Sequence, residues 1–192
     1  MADSSKSLKI GVIAEEKNDV EVLYELTCKI INEREFSFKQ FVGHGCGRLR
    51  RKCGAWAVNL LRRGCTHLVV VHDLDKRNES ELRAELDSAI KDTEFTRSLV
   101  LIPIEEIEAW LLADAKALKN TFKMRKQPKV PAKPETVADP KEHLADLVAR
   151  HSKTKFLNTV HNKKIANAVG LSALKRCPSF AAYPPFIKPP KK

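Results

Sequence analysis

Four times in the first 118 residues a short run rich in β-branched residues gives way to a longer stretch with apolar positions three or four apart. The runs are LKIGVIA (8–14), FSFKQF (36–41), THLVVV (66–71) and SLVLIPI (98–104). The stretches between and after them are DVEVLYELTCKIINE (19–33), residues 48–63, ESELRAELDSAI (79–90) and EEIEAWLLADAKAL (105–118). Strands buried on both faces read as continuous apolar runs, and the helices joining parallel strands carry one apolar stripe. Strict alternation of the two therefore predicts an α/β sandwich, Rossmann-like, with a mostly parallel sheet of about four strands covered on both faces. The strand order expected is 2-1-3-4, with FSFKQF at an edge.

The local signals agree. Asn18 with Glu21 three residues later reads as a helix start, Asn78 caps the third helix, and Gly64 stops the second. Leu74, between two aspartates, is expected to turn inward. After residue 118 the character changes. Residues 119–139, KNTFKMRKQPKVPAKPETVAD, read as a Pro- and Lys-rich connector, and residues 140–192 as a basic, mainly helical appendage too small to fold alone. Within it Asp139, Pro140 and Glu142 mark the start of the helix PKEHLADLVARH, and NKKIANAVGLSAL (162–174) a last helical stretch. Residues 1–118 form the core in this division.

Charge divides the chain the same way. Residues 1–114 hold 17 Lys and Arg against 20 Asp and Glu, a net of −3; residues 115–192 hold 18 against 4, a net of +14. A back half so basic suggests a polyanionic partner, nucleic acid before an anionic membrane. Apolar runs never reach membrane-spanning length, and the start MADSSKSLKIGVIAEE carries no secretory signal, so a cytoplasmic protein without a membrane partner is expected. Five cysteines without a C-x-x-C argue against a disulfide framework, and His44, Cys46 and Cys53 match no common zinc spacing.

The acids of the front half gather at strand ends. Glu15 and Glu16 follow the first strand, with Asp19 at the next helix start; Asp73-Leu74-Asp75 follows the third; Glu105, Glu106 and Glu108 follow the fourth. In open parallel sheets ligands bind beyond the carboxyl ends of the strands where strand order reverses. Order 2-1-3-4 puts that reversal between strands one and three, so Glu15, Asp73 and Asp75 should converge. Residues i and i+2 of an extended chain point the same way, which would aim both aspartates at one spot. Alone, each acid is an ordinary turn or helix-start residue. Together, clustered carboxylates repel unless a cation sits among them, and oxygen-only donors select Mg²⁺ or Mn²⁺.

Two stretches resemble TOPRIM motifs: VIAEEKNDVEVL, with Asp19 four residues after Glu15, and VVVHDLD, a strand ending in D-x-D. IPIEEIEAWLLAD and RCPSF resemble small stand-alone TOPRIM-like proteins related to the nuclease portion of OLD (overcoming lysogenization defect) enzymes. The resemblance implies a metal-dependent nuclease hydrolysing phosphodiester bonds, DNA favoured. It also implies an ATPase partner and a setting in phage defence. Carried over, Glu15 is a metal ligand or general acid/base, and Asp73 and Asp75 are ligands. Asp19 supports them or is itself a ligand, and Glu108 with Glu106 completes a second ion site. The motif's usual glycine after Glu15 is Glu16 here. Phosphate contacts are expected from Arg48, Arg50, Arg51, Lys52, Lys76, Arg77, Lys163 and Lys164, with Lys164 also a candidate to neutralise the transition state.

Two alternatives stay open. One is a nucleic-acid-binding or regulatory module without catalysis, suggested by Glu16. The other is a receiver-like signalling domain, which needs a lysine after a fifth strand. DNA or RNA, one ion or two, and the oligomeric state also stay open.

Overall fold

The computed structural model describes residues 8–31 and 36–188. The last two residues of the first expected helix, the first seven residues of the chain and the final four of the tail fall outside them. Four strands, β1 (Leu8–Ala14), β2 (Phe36–Val42), β3 (His67–Val71) and β4 (Arg97–Leu101), form one parallel sheet in the order β2-β1-β3-β4. The expected α/β sandwich, its parallel sheet and its strand order are all present. β1 and β3 pair directly, Ile10 opposite His67 and Ile13 opposite Val70, so the order reverses between them. No fifth strand follows among the described residues, and acids stand after β4.

Strand handedness decides which face each helix covers. A right-handed crossover from β1 outward to β2 puts α1 (Lys17–Ile31) on one face. Returning past β1 to β3, then on to β4, reverses the direction and puts α2 (Cys46–Arg62) and α3 (Glu79–Ile90) on the other. Alternate strand residues follow suit. Ile13, Leu68, Val70 and Val100 pack with Leu49, Leu60, Leu82 and Leu86 of α2 and α3, while Ile10, Val12, Val69 and Val71 face α1. α2 and α3 approach closely at Gly54, where a Cβ would stand 2.6 Å from the Ala89 carbonyl oxygen.

One helix cannot cover four strands, so the rest of its face must be closed by other chain. The C-terminal half does this with α4 (Glu108–Leu111), α5 (Ala115–Thr121), α6 (Pro140–His151), α7 (Asn158–Ala168) and α8 (Tyr183–Ile187). α7 lies along α1, and α8 packs on α1 and β4. Leu144, Val148, Ile165, Leu174 and Phe186 share one core with Leu23, Leu26 and Val71. Polar groups are matched where they are buried: Tyr183 donates to Thr27 Oγ1 (2.6 Å), which donates to the Leu23 carbonyl (2.7 Å). The connector is anchored through Arg176, which donates to the Pro131 carbonyl at 3.0 Å. All five cysteines are free thiols. No helix among the described residues is long and apolar enough to cross a membrane.

Local expectations hold and fail for identifiable reasons. Asn78 caps α3 through the Glu81 N–H. Gly64, at φ 81°, closes α2 as the Gly64 and Cys65 N–H groups reach the Leu61 and Leu60 carbonyls, a Schellman pattern. Asn18 is not a cap, because α1 already begins at Lys17; the Asp19 carboxylate reaches back to the Glu16 N–H at 2.8 Å instead. Asp139 makes no side-chain cap either. The single helix expected over 105–118 is two, because Asp114 Oδ1 accepts the Lys116 and Ala117 N–H groups and restarts the helix as α5.

Candidate functional site

At the carboxyl ends of β1, β3 and β4 a cavity of about 170 Å³ is lined by Glu15, Asp19, Asp73, Asp75, Glu106 and Glu108. Glu15, Asp73 and Asp75 are the acids that strand order was expected to bring together; Asp19, Glu106 and Glu108 are those that the resemblance added. Glu16, Asn18, Lys141 and Asn158 complete the lining. The first turns of three long helices, α1, α6 and α7, supply Asn18, Lys141 and Asn158, so three positive helix ends face the acids.

β3 ends at Val71, but the chain stays extended beside the segment after β4, the His72 and Leu74 N–H groups reaching the Leu101 and Pro103 carbonyls, and turns only at Asp75. The Arg77 N–H closes onto the Leu74 carbonyl at 3.0 Å, with Asp75 and Lys76 both in the left-handed region at φ 48° and 60°. Glu105 after β4 is left-handed too, at φ 58°, and its carbonyl accepts the Asp75 N–H at 3.3 Å. Such backbone costs about 1–3 kcal/mol per residue and clusters at functional sites. Leu74 does turn inward, into the α2–α3 core.

The acids differ in what holds them. Asp73 Oδ1 accepts the Ile107 N–H at 3.1 Å. Glu106 Oε2 takes the Lys141 N–H at 2.9 Å, satisfying a free donor at the start of α6. Glu108, only 3% exposed, accepts from Asn162 Nδ2 at 2.9 Å. Glu15 is the exception. His72, fully buried, has Nδ1 2.9 Å from Glu15 Oε1 and 2.6 Å from the Asp73 carbonyl, so an N–H there faces two acceptors and bonds the nearer. Glu15 Oε1 is therefore buried without a hydrogen-bond partner.

Burial and mutual repulsion oppose ionisation here. Burial pushes the Asp19 carboxyl from 3.8 up to about 8; the Glu16 N–H pulls it back, and the charges of Glu108, Glu16 and Glu15 raise it further. Asp73 is held well above the usual carboxylate range by burial, then by Asp19, Glu108, Glu15 and Asp75. Burial raises Glu108 against the Asn162 hydrogen bond, and burial and Glu15 raise Asp75. A group of acids that resists losing its protons in this way is one that a cation would relieve.

The donor set fits Mg²⁺ or Mn²⁺: oxygen only, one carboxylate oxygen buried without a donor, and room for an ion with several of its waters. No three His, Cys, Asp or Glu side chains among the described residues stand as a ready-made ion cage, so ligation would draw the acids inward. Asn162→Ala should leave Glu108 buried without its donor, destabilising the protein by about 1–3 kcal/mol and raising the Glu108 pKa further. Urea melts and carboxyl titration by NMR would read the two effects; unchanged values would show that the bond holds nothing.

The expected cations lie elsewhere. Arg48, Arg51 and Lys52 are exposed on α2, and Arg50 is bound to Glu85 at 3.1 Å. Lys76 and Arg77 are exposed on the turn beside Asp75. Lys163 lies 3.8 Å from Glu25, and Lys164 is exposed on α7; neither lines the cavity. The lysine at the acids is Lys141, which the sequence signalled only as the residue after the Pro that opens α6. Asn158 and Asn162 were also missed, because they reach the site through long-range packing, and so was His72, which stands directly before Asp73.

A family described as a domain of unknown function, DUF4276, matches residues 15–184. The chain belongs to the DUF4276 family. The matched stretch runs from the first acid of the cavity into α8, so it covers β2, β3, β4 and the helices from α1 onward, while β1 (Leu8–Ala14) precedes it. No curated protein and no solved structure matches the chain.

Proposed function

We propose that this DUF4276 protein is a Mg²⁺- or Mn²⁺-dependent nuclease that hydrolyses phosphodiester bonds of nucleic acid, DNA favoured. One observation carries the reading: seven carboxylates that follow three strand ends line a single cavity at the point where strand order reverses. Glu15, Asp73 and Asp75 would hold one ion, and Glu106 and Glu108, with Asp19, a second. Bound ions would supply an activated water and charge neutralisation at phosphorus. The protein's own groups do the rest. Lys141 faces a phosphoryl oxygen in the role first given to Lys164, and the Asn158 amide orients it. Asn162 holds Glu108 in place, and the starts of α1, α6 and α7 favour the anionic substrate. Motif resemblance to OLD nucleases supports the same reading, and extends it to an ATPase partner and phage defence; the cytoplasmic setting rests on the sequence alone.

Glu16 favours a second reading, a binding module without catalysis. It adds a carboxylate at the cavity where the resembled motif has glycine and a phosphate would approach. One assay separates the two: nicking of supercoiled plasmid and degradation of single-stranded DNA and RNA in Mg²⁺, Mn²⁺ or EDTA. Metal-dependent cutting is expected. It should fall by at least about 100-fold in Asp73→Ala/Asp75→Ala, beyond the 10–100-fold typical of losing a group one shell further out. No cutting with any metal, beside salt-sensitive binding, would select the module.

A further inference from the structure

A second cavity, of about 510 Å³, opens where the end of α5 meets the end of α6. Its charged lining is wholly basic or imidazole: Lys123, Arg125, Arg150, His151 and Lys153. All five are exposed, and none is in an ion pair among the described residues. Arg150 donates from Nε to the Asp146 carbonyl at 3.2 Å, which leaves its outer nitrogens free to face the cavity. The helix dipole accounts for Arg150 and His151 at the end of α6. It does not account for Lys123, Arg125 and Lys153, which come from the segments on either side. Lys123 is held in the left-handed region at φ 51°.

The place of this cavity matters as much as its charge. α6 begins at the acids, where Lys141 lines the carboxylate cavity, and ends at the basic one. Ten residues of helix separate Lys141 from His151, a rise of about 15 Å, equal to four or five steps of a nucleic-acid duplex at ~3.4 Å each. Between them lies a third cavity that shares Glu106, Lys141 and Asn158 with the acids and is also lined by Asp139, Glu142, Ala145, Phe156 and Leu157. Phe156 in turn packs against Phe122, which lines the basic cavity. The three openings therefore succeed one another from the start of α6 to its end: acidic, mixed acidic and apolar, basic.

We infer that the cavity at the α5–α6 junction is a phosphate-backbone anchor, holding a nucleic-acid strand a few nucleotides from the bond that the carboxylate cavity addresses. The inference rests on the nuclease reading for its second half and on charge and geometry for its first. Four permanently charged side chains address phosphates, which position a strand without reading its sequence. Leu157, 48% exposed beside Phe156, offers an apolar surface to a base on the way.

The test measures binding in EDTA, where no cutting occurs. Affinity of the full chain for a labelled single-stranded oligonucleotide is followed by fluorescence anisotropy across a salt series. Lys123→Glu/Arg125→Glu/Lys153→Glu is compared with Arg62→Glu/Lys91→Glu/Lys175→Glu, which changes net charge equally at exposed positions outside the cavities described. The first variant should bind at least 10-fold more weakly than the second, and its log K against log salt should be shallower by about two, as for the loss of three phosphate contacts. Equal weakening by both, no change in the first, or no binding by the wild type would overturn the anchor. So would loss of binding to phosphatidylserine vesicles with oligonucleotide binding intact, which would make the surface a lipid contact. Hydrolysis of a small phosphodiester, too short to reach the anchor, separates the two proposals. It should survive the first variant, and if the wild type lacks it while the anchor result holds, only the nuclease reading fails.

Discussion

Stripped of divalent ions, the protein should lose stability as pH rises from about 5 to about 8.5, and Asp19→Asn should remove much of that loss. Asp19 is 5% exposed, and its carboxyl is raised to about 8. In the unfolded chain it ionises near 3.8. Between those values the folded state binds more protons than the unfolded one, so stability falls as pH rises. The contribution is complete below the unfolded value and gone above the folded one. Asp73, Asp75 and Glu108 are raised as well, and act in the same direction. A carboxyl that ionises one pH unit later in the folded chain than in the unfolded one contributes about 1.4 kcal/mol. About 1 kcal/mol moves the melting midpoint of a chain this size by ~2–4 °C. A fall of roughly 5 °C or more in EDTA is expected. Asparagine suits the test because its amide oxygen can still accept the Glu16 N–H while the charge is gone.

Added Mg²⁺ should reverse the slope. Ions bind deprotonated ligands, so stabilisation by the ion grows as pH rises, and reaches about 2.7 kcal/mol at a hundred times the dissociation constant. Thermal melts at both pH values, with EDTA and with Mg²⁺, read both effects. A wild-type midpoint that holds steady or rises with pH in EDTA would mean the acids are better solvated than their burial implies. A midpoint indifferent to Mg²⁺ would remove the ion from the proposed chemistry.

The sheet and the acids were legible for the same reason. A strand buried on both faces must be apolar along its length, so carboxylates at the ends of LKIGVIA, THLVVV and SLVLIPI stand out, and strand order then brings them together. What escaped were features decided across long stretches of chain. Asn162 meets Glu108 from 54 residues away, and the α6 backbone meets Glu106 from 35 away. EEIEAWLLADAKAL keeps helical periodicity throughout, so its break at Asp114 was masked, although an Asp followed by a good helix former is itself a start signal. The tight turn after D-x-D was not foreseen, because the sequence does not announce a left-handed Asp75 without glycine. Lys141 was hidden among 18 basic residues of the back half, and only its place at the head of α6 distinguishes it.

The largest loss of stability from one substitution away from the acids is expected for Trp110→Ala. Trp110 is fully buried on α4, two residues after Glu108. Its Nε1–H is shared between Ser179 Oγ at 2.8 Å and Glu135 Oε1 at 3.1 Å, and its ring meets Phe180 at 5.3 Å between centroids. One indole thus joins the segment after β4, the connector and the RCPSF stretch, where Arg176 also donates to the Ala113 carbonyl. Truncation removes that packing, at about 3–5 kcal/mol, and takes a donor from Glu135. Trp110→Phe keeps most of the ring and loses only the donor, at about 1–3 kcal/mol. Urea melts should rank wild type, Phe and Ala in that order. An Ala midpoint within error of wild type would mean the C-terminal helices are held by α1 alone. Should the ranking hold, the resembled stretches IEAW and RCPSF need no chemical role: they hold α4 in place, and with it the start of the helix from which Glu108 enters the cavity.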